Sequence, residues 1–399
     1  MKSIIFISSF CGTQIFKYIS QKSKKGLNVA TQTFNGSLYR GLLQIGKRVK
    51  VLSYLPVSAY PGTRMLLIDR RLSSNRNDVD LIQFINLQYI KQLTIFFSAL
   101  LKVVKTLMKR SFRESVILCD YMYLPICLPA IVVGRLFRKK AVLIIPDIPS
   151  LIINYMGHDK RISDWLVRDY LMILDRVIGF FDGYIVFGSE TKNKLKLKKP
   201  TLRIEGIADI STQESFHYEP GEFILYAGSL FEEYGLLELI DSINFIDNPF
   251  MEIWICGAGA LEDMIRRRSS ENKRIRYLGL IERNEVMILQ KKAKILVNPR
   301  KPSSEYTHYS FPSKVFEYLT SGRPVLMSKL EGIPDEYDPY YFKIEEVTAE
   351  GIADAINRVL KIPEKELLEK ALLARNFVIQ NKNPAIQATK VWEFVSSIK

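Results

Sequence analysis

The chain reads as an α/β protein made of two Rossmann-like halves, and three observations lead there. Short apolar runs of strand length alternate with helical patterns along its length, the rhythm of parallel sheets. That rhythm restarts after Pro200, where strands run into the glycine turns Gly228–Ser229 and Gly257–Ala258–Gly259. Charge divides at the same place: residues 1–200 hold 32 Lys and Arg against 12 Asp and Glu, a net +20, and residues 201–399 hold 25 against 30, a net −5. A chain of 399 residues suits two domains of about 200 residues each. The expected boundaries are 1–200 and 201–380, with 381–399 as a final amphipathic helix.

In the first half, Ser3–Phe10 has the composition of a buried strand and Cys11–Gly12–Thr13 that of a chain reversal. A basic stretch, Lys22–Lys25, precedes an amphipathic helix around Asn28–Gly46, and Val49–Tyr54 and Leu81–Asn86 read as strands. The long pattern Leu87–Arg113 sets Lys102, Lys105, Lys109 and Arg110 beside a broad apolar face. Such a helix suits a bilayer interface with anionic headgroups, or equally a core position with a solvated basic edge. Ser115–Asp120 and Ala141–Asp147 are further strands, with Asp120 and Asp147 at carboxyl ends, where open α/β sheets place ligands. Pro146 and Pro149 restrict the loop that carries Asp147. Asp164–Phe180 reads as a helix and Gly183–Phe187 as a strand. Lys192, Lys194, Lys196, Lys198 and Lys199 then run into the linker at Pro200.

In the second half, Phe223–Ala227 and Met251–Cys256 are strands, each followed by a glycine turn and a helix (Gly235–Ile243, Leu261–Arg268). Turns of this kind bring backbone amides towards phosphate oxygens, which makes Gly228, Ser229 and Gly257 binding candidates. After Arg274–Leu278, Glu282–Lys291 and Lys294–Asn298 comes the stretch RKPSSEYTHYSFPSKVFEYLTSGRP, Arg300 to Pro324. Its helix enters behind Pro312, with Ser313 as the expected N-cap, and stops at Gly322. Lys314 sits in the first turn, where the helix dipole does not favour a cation unless it meets an anion. Glu317 follows one turn later on the same face. Such a pair can hold a phosphate and a sugar hydroxyl pair, or be an ordinary surface ion pair. Beyond it, Ala349–Leu360, Glu364–Gln380 and Ala385–Ile398 read as helices, the last carrying Trp392 and Phe394.

Composition narrows the classes. Cys11, Cys119, Cys127 and Cys256 have no metal-ligand spacing and read as reduced core thiols of a cytoplasmic protein. His158, His217 and His308 are too dispersed for a histidine-rich metal site. Met1–Phe10 lacks the cleavage region of a signal peptide, and no apolar run reaches the roughly 18 residues of a membrane span. A strongly basic half suits a nucleic acid, an anionic membrane or a phosphorylated ligand. The absence of a helix-turn-helix, zinc-finger or RNP pattern sets nucleic acid aside.

YSFPSKVFEYLTSGRPVL resembles the C-terminal nucleotide-sugar motif of retaining glycosyltransferases of family 4, in the PSK…EY subset found in bacterial surface-polysaccharide assembly. AGSLFEEYGLLEL and the loop VLIIPDIPS are similar to further stretches of that family. The resemblance implies a GT-B fold, two Rossmann-like domains facing across a cleft with the last helix returning to the first domain, where Trp392 anchors it. It implies metal-independent transfer of a sugar from a nucleoside diphosphate to an acceptor hydroxyl, while the basic first half and the Leu93–Arg113 helix point to a lipid-linked saccharide acceptor at the inner face of the cytoplasmic membrane. Carried over from the family, Glu317 binds the ribose; the need to neutralise a diphosphate assigns Lys314 and Arg300 to it, and Ser313, Gly228, Ser229 and Gly257 line the donor site. Asp147, with Lys314 the expected catalytic residue, serves the acceptor side together with Gly12. The family pattern has a second glutamate where this chain has Tyr309, leaving Glu305 or His308 for the donor sugar. It also has a basic pair where this chain has Ser229 and Tyr234. Those departures leave open a non-catalytic GT-B partner subunit, and among enzymes the alternative is a GT-B nucleotide-sugar epimerase.

Overall fold

Every residue of the first strand, β1 (Ser3–Ser8), is buried, as befits a central parallel strand covered on both faces. The structure is a computed structural model and describes residues 3–24, 27–69, 72, 79–151, 164–208, 219–303 and 305–398. Lys25, His158 and His217 lie outside the described residues. The chain divides into two compact units, Met1–Ile207 with Pro384–Lys399, and Ala208–Asn383.

The first unit continues with β2 (Val49–Ser53), β3 (Leu67–Ile68), β4 (Val79–Leu81), β5 (Phe84–Ile85), β6 (Ser115–Asp120), β7 (Ala141–Ile145), β8 (Gly183–Val186) and β9 (Thr201–Arg203). Seven of these form one sheet in the order β4-β2-β1-β6-β7-β8-β9, parallel throughout. Its helices are α1 (Thr13–Lys22), α2 (Val29–Gln44), α3 (Ile90–Leu107), α4 (Leu124–Leu136), α5 (Asp164–Ile178) and the single turn α6 (Thr191–Lys194). Asn28 caps α2 by accepting the Thr31 amide at 3.0 Å. All four cysteines are buried and free.

Leu81–Asn86 is not the single strand its composition predicts. β4 joins the large sheet, whereas β5 pairs antiparallel with β3 in a separate ribbon. The cause is α3, whose Ser98 and Thr94 hydroxyls accept the Gln83 and Ile85 amides that a continuous strand would have given to a neighbour.

The second unit repeats the design with β10 (Phe223–Ala227), β11 (Glu252–Cys256), β12 (Ile275–Gly279), β13 (Ile295–Asn298), β14 (Val325–Ser328) and β15 (Phe342–Ile344). Their order is β12-β11-β10-β13-β14-β15, again all parallel. Around it stand α7 (Leu236–Asp241), α8 (Glu262–Glu271), α9 (Arg283–Lys292), α10 (Lys314–Thr320), α11 (Ala349–Leu360) and α12 (Glu364–Asn381). Both sheets thus start in the middle and reverse direction once, the doubly wound pattern of Rossmann folds.

The last helix, α13 (Pro384–Ser397), belongs to the first unit and packs on α2. The approach is so close that a Cβ on Gly41 would lie 2.0 Å from the Pro384 carbonyl oxygen. Ala388, Val391 and Val395 supply the buried contacts, against Phe34, Leu38 and Leu42. Trp392, the expected anchor, is only partly buried at the rim, with the Lys47 ammonium 4.2 Å from its ring centre.

Candidate functional site

In the second unit the strand order reverses between β10 and β13, and open α/β sheets bind ligands outside the strand carboxyl ends at such a point. The turn Gly228–Ser229 leaves β10 there, and the loop through Pro299 and Arg300 leaves β13. Missing side chains let these loops close on their neighbours. A Cβ on Gly257, whose φ is +139°, would fall 1.6 Å from the Gly228 carbonyl oxygen, and one on Gly235, at φ +67°, 1.9 Å from that of Pro299.

Arg300 is only 7% exposed, and its guanidinium lies 4.2 Å from the centre of the Tyr234 ring. The backbone holds that stack in place. The Lys301 amide donates to the Glu233 carbonyl at 3.0 Å, and the Lys301 ammonium pairs with Glu238 at 2.6 Å. The Ser328 hydroxyl donates to the carbonyl of Arg300 itself. Lys314 rests on Gly228, where an added methyl would come 2.4 Å from its Cε. Burial pulls the Lys314 pKa below its ordinary value and Arg300 pushes the same way, while Glu317 and Cys256 oppose them. Two cations therefore feel each other beside the Glu317 carboxylate in a partly desolvated place. An anion between them relieves both the repulsion and the desolvation. Two buried tyrosines brace the turn beneath: Tyr318 Oη accepts the Ala227 amide at 2.9 Å, and Tyr226 Oη donates to the Ser229 carbonyl at 2.8 Å.

The structure corrects several expectations from sequence. The Gly228 amide donates to Cys256 and the Gly257 amide to Gly279, at 2.8 and 2.9 Å, so neither is open to a phosphate. Each of these amides closes the last pair of its ladder, Ala227 with Cys256 and Cys256 with Gly279. Among the described residues of this turn, the Ser229 amide carries no such bond, and Ser229 is exposed. Ser313 is exposed and helical (φ −54°, ψ −26°), and its side chain caps nothing. The helix behind it is only seven residues long, which limits any dipole. Gly322, at φ +75°, does follow the helix end as the stop. Glu305 is exposed on the 3-10 turn Glu305–His308, and His308 is engaged by Glu331.

The first unit reverses between β1 and β6. Gly12 opens α1 at φ +79°, and a Cβ there would meet nothing within 4 Å, so the turn faces open space. Asp147 is half-buried beyond β7. Its charge adds to the burial that raises the Tyr121 phenol. Between them the structure assembles a cluster that sequence reasoning left incomplete. The Asp120 carboxylate is buried and accepts from the Ser9 amide and hydroxyl (3.3 and 3.2 Å), the Ser8 hydroxyl (3.4 Å) and Asn35 Nδ2. Burial raises its pKa to about 6 against the pull of those donors. Gln32 joins by donating to the Ser9 carbonyl at 2.7 Å and accepting the Cys11 amide at 3.2 Å. The available signal was a pair of serines closing one apolar strand and an aspartate closing another.

The family described as glycosyl transferases group 1 matches residues 208–371, which lie in the second unit. No curated protein matches the chain. Similar solved structures include sucrose-phosphate synthase from Thermosynechococcus elongatus (15% identity, TM-score 0.66) and HepE of Anabaena in complex with UDP (15%, 0.61). A TarM mutant of S. aureus in complex with fondaparinux, alpha-GlcNAc-glycerol and UDP is another (11%, 0.66). In each case the match covers 100% of both chains. The fold is GT-B. Within this GT-B chain, Arg300, Lys314, Glu317, Gly228 and Ser229 meet at the reversal point of the unit that carries the family match.

Proposed function

We propose that the chain moves a sugar from a nucleoside diphosphate to a hydroxyl of a lipid-linked saccharide, retaining the anomeric configuration and using no metal, in building a bacterial surface polysaccharide. The observation that carries this reading is the Arg300–Lys314–Glu317 cluster over the Gly228–Ser229 turn. It lies in the unit matched by glycosyl transferases group 1. UDP in the similar HepE and TarM structures supports a nucleoside diphosphate as the leaving group.

Lys314 and Arg300 neutralise the diphosphate, with the Ser229 amide as an added donor. Glu317 accepts from the ribose hydroxyls, and Glu305 reads the donor sugar. Gly228 and Gly257 serve by letting chain and ligand approach rather than by donating, and Ser313 contributes through its position ahead of Lys314. Asp147, with Gly12, serves the acceptor. The bond from the sugar's anomeric carbon to the diphosphate oxygen breaks with its electrons on that oxygen, the acceptor hydroxyl oxygen forms the new bond to that carbon, and the hydroxyl proton passes to the departing diphosphate. Positive charge already in place there costs no reorganisation as the sugar gains cationic character. A lipid-linked acceptor places the enzyme on the cytoplasmic face of the membrane, which the net +20 of residues 1–200 favours.

A thermal-shift series with UDP-, GDP- and ADP-sugars tests the reading, since a ligand that binds only the folded state raises the melting temperature. A shift with one base class is expected. No shift with any donor would leave a non-catalytic scaffold, and release of an epimerised sugar without acceptor would make the chain an epimerase. Full transfer activity in EDTA is the matching test of metal independence.

A further inference from the structure

The residues of α3 that face the sheet are Ile95, Ala99, Val103 and Leu107, all in the core of the first unit. One such stripe is what an amphipathic helix needs, yet α3 has a second. On its opposite side Leu93, Phe97 and Leu101 recur every fourth residue and are 61, 57 and 69% exposed, with Met108 beyond the helix end. The neighbouring helices continue the pattern. α4, packed along α3, exposes Val132 and Leu136, and α5, packed against α4, exposes Trp165, Met172 and Ile173. Phe180, exposed just after α5, is met by the Arg135 guanidinium of α4 at 4.6 Å. A soluble surface seldom keeps so many large apolar side chains together without a use for them.

Charge identifies that use. Lys105, Lys109, Arg110 and Arg113 near the end of α3, and Arg135 and Arg138 near the end of α4, are all exposed. Glu114 is an exposed carboxylate among them, and α5 exposes Asp175 together with Arg168 and Arg176. Lys102 is not part of this border, since it pairs with Asp80 at 2.6 Å. A protein partner made of apolar groups alone would leave the cations unmatched. A bilayer matches both, taking apolar side chains at the depth of the upper acyl chains and cations at the anionic headgroups.

We infer that the α3–α4–α5 face docks on a bilayer containing anionic lipid, with the Leu93–Phe97–Leu101 stripe as its inserted edge. This deepens the reading of a lipid-linked acceptor and rests on it. The test is co-sedimentation of the full chain with phosphatidylcholine vesicles that do or do not contain phosphatidylglycerol, at low and high salt. UDP affinity is measured in parallel without vesicles. Binding that needs phosphatidylglycerol and falls with salt is expected. Leu101→Asp, and separately Lys109→Glu with Arg110→Glu, should each lower the bound fraction at least about tenfold while UDP affinity holds. Equal binding by parent and both variants, or none by the parent, overturns the inference. So does a dimer of the parent in vesicle-free solution that Leu101→Asp disperses, because a second copy then covers the face. If vesicles bind and UDP does not, the transferase reading fails and the docking face stands.

Discussion

Gly228→Ala separates a binding role for Lys314 from a merely structural one. The added methyl would lie 2.4 Å from Lys314 Cε and 2.8 Å from Tyr226 Oη. Carbon atoms pack at about 3.5–4.0 Å, so the lysine tip must withdraw by about 1 Å or more. A charge-assisted hydrogen bond works at about 2.7–2.9 Å, and a withdrawal of that size breaks direct contact with an anion. Losing such a bond costs about 1.5–3 kcal/mol, or about 10- to 150-fold in Kd. Tyr226, buried and tied to Ser229, yields less easily, so overpacking should also cost about 1–3 kcal/mol of stability. The assay is calorimetric titration with UDP, or with whichever diphosphate stabilises the parent, alongside thermal unfolding. Lys314→Met should weaken binding by a similar amount with less effect on folding. The double variant should be no worse in affinity than either single one, because both remove the same contact. Parental affinity in folded Gly228→Ala, or fully additive losses in the double variant, would refute the reasoning.

Tyr234→Leu should weaken diphosphate binding by about 0.5–2 kcal/mol through loss of the cation–π support of Arg300, and Tyr234→Phe should largely preserve it; equal losses in the two variants would show that the ring does not act through its face. Glu317→Ala should weaken nucleotide-sugar binding by about 1–3 kcal/mol, and unchanged affinity in a folded variant removes it from the site. Asp120 has its pKa raised in the folded state from 3.8 to about 6, so the folded protein holds a proton that the unfolded chain has released. Its contribution is therefore present below pH 4 and lost as pH rises through 6. Urea unfolding across that range should show the parent losing about 2–3 kcal/mol relative to Asp120→Asn. A constant difference between the two proteins would contradict this.

The alternation of apolar runs, the two glycine turns and the charge division at Pro200 were enough to read two doubly wound sheets, because periodicity and turn chemistry are local properties. For the same reason Lys314 and Glu317, one turn apart on one helix, could be named together. Tertiary structure alone decided which neighbours those residues have. Strand order, a non-local property, brings the Tyr234 turn beside the loop after β13, so a tyrosine standing where the family pattern has a cation instead carries Arg300. The closing rung between β10 and β11 engages the Gly228 amide and, among the described residues, leaves that of Ser229 without a backbone partner. Asp120 gains its donors from β1 and α2 only when the sheet forms. On α3 both apolar stripes were present in the sequence, and only packing shows which of them the core covers. Hydropathy records what a side chain prefers, and the fold determines which of those preferences can be met.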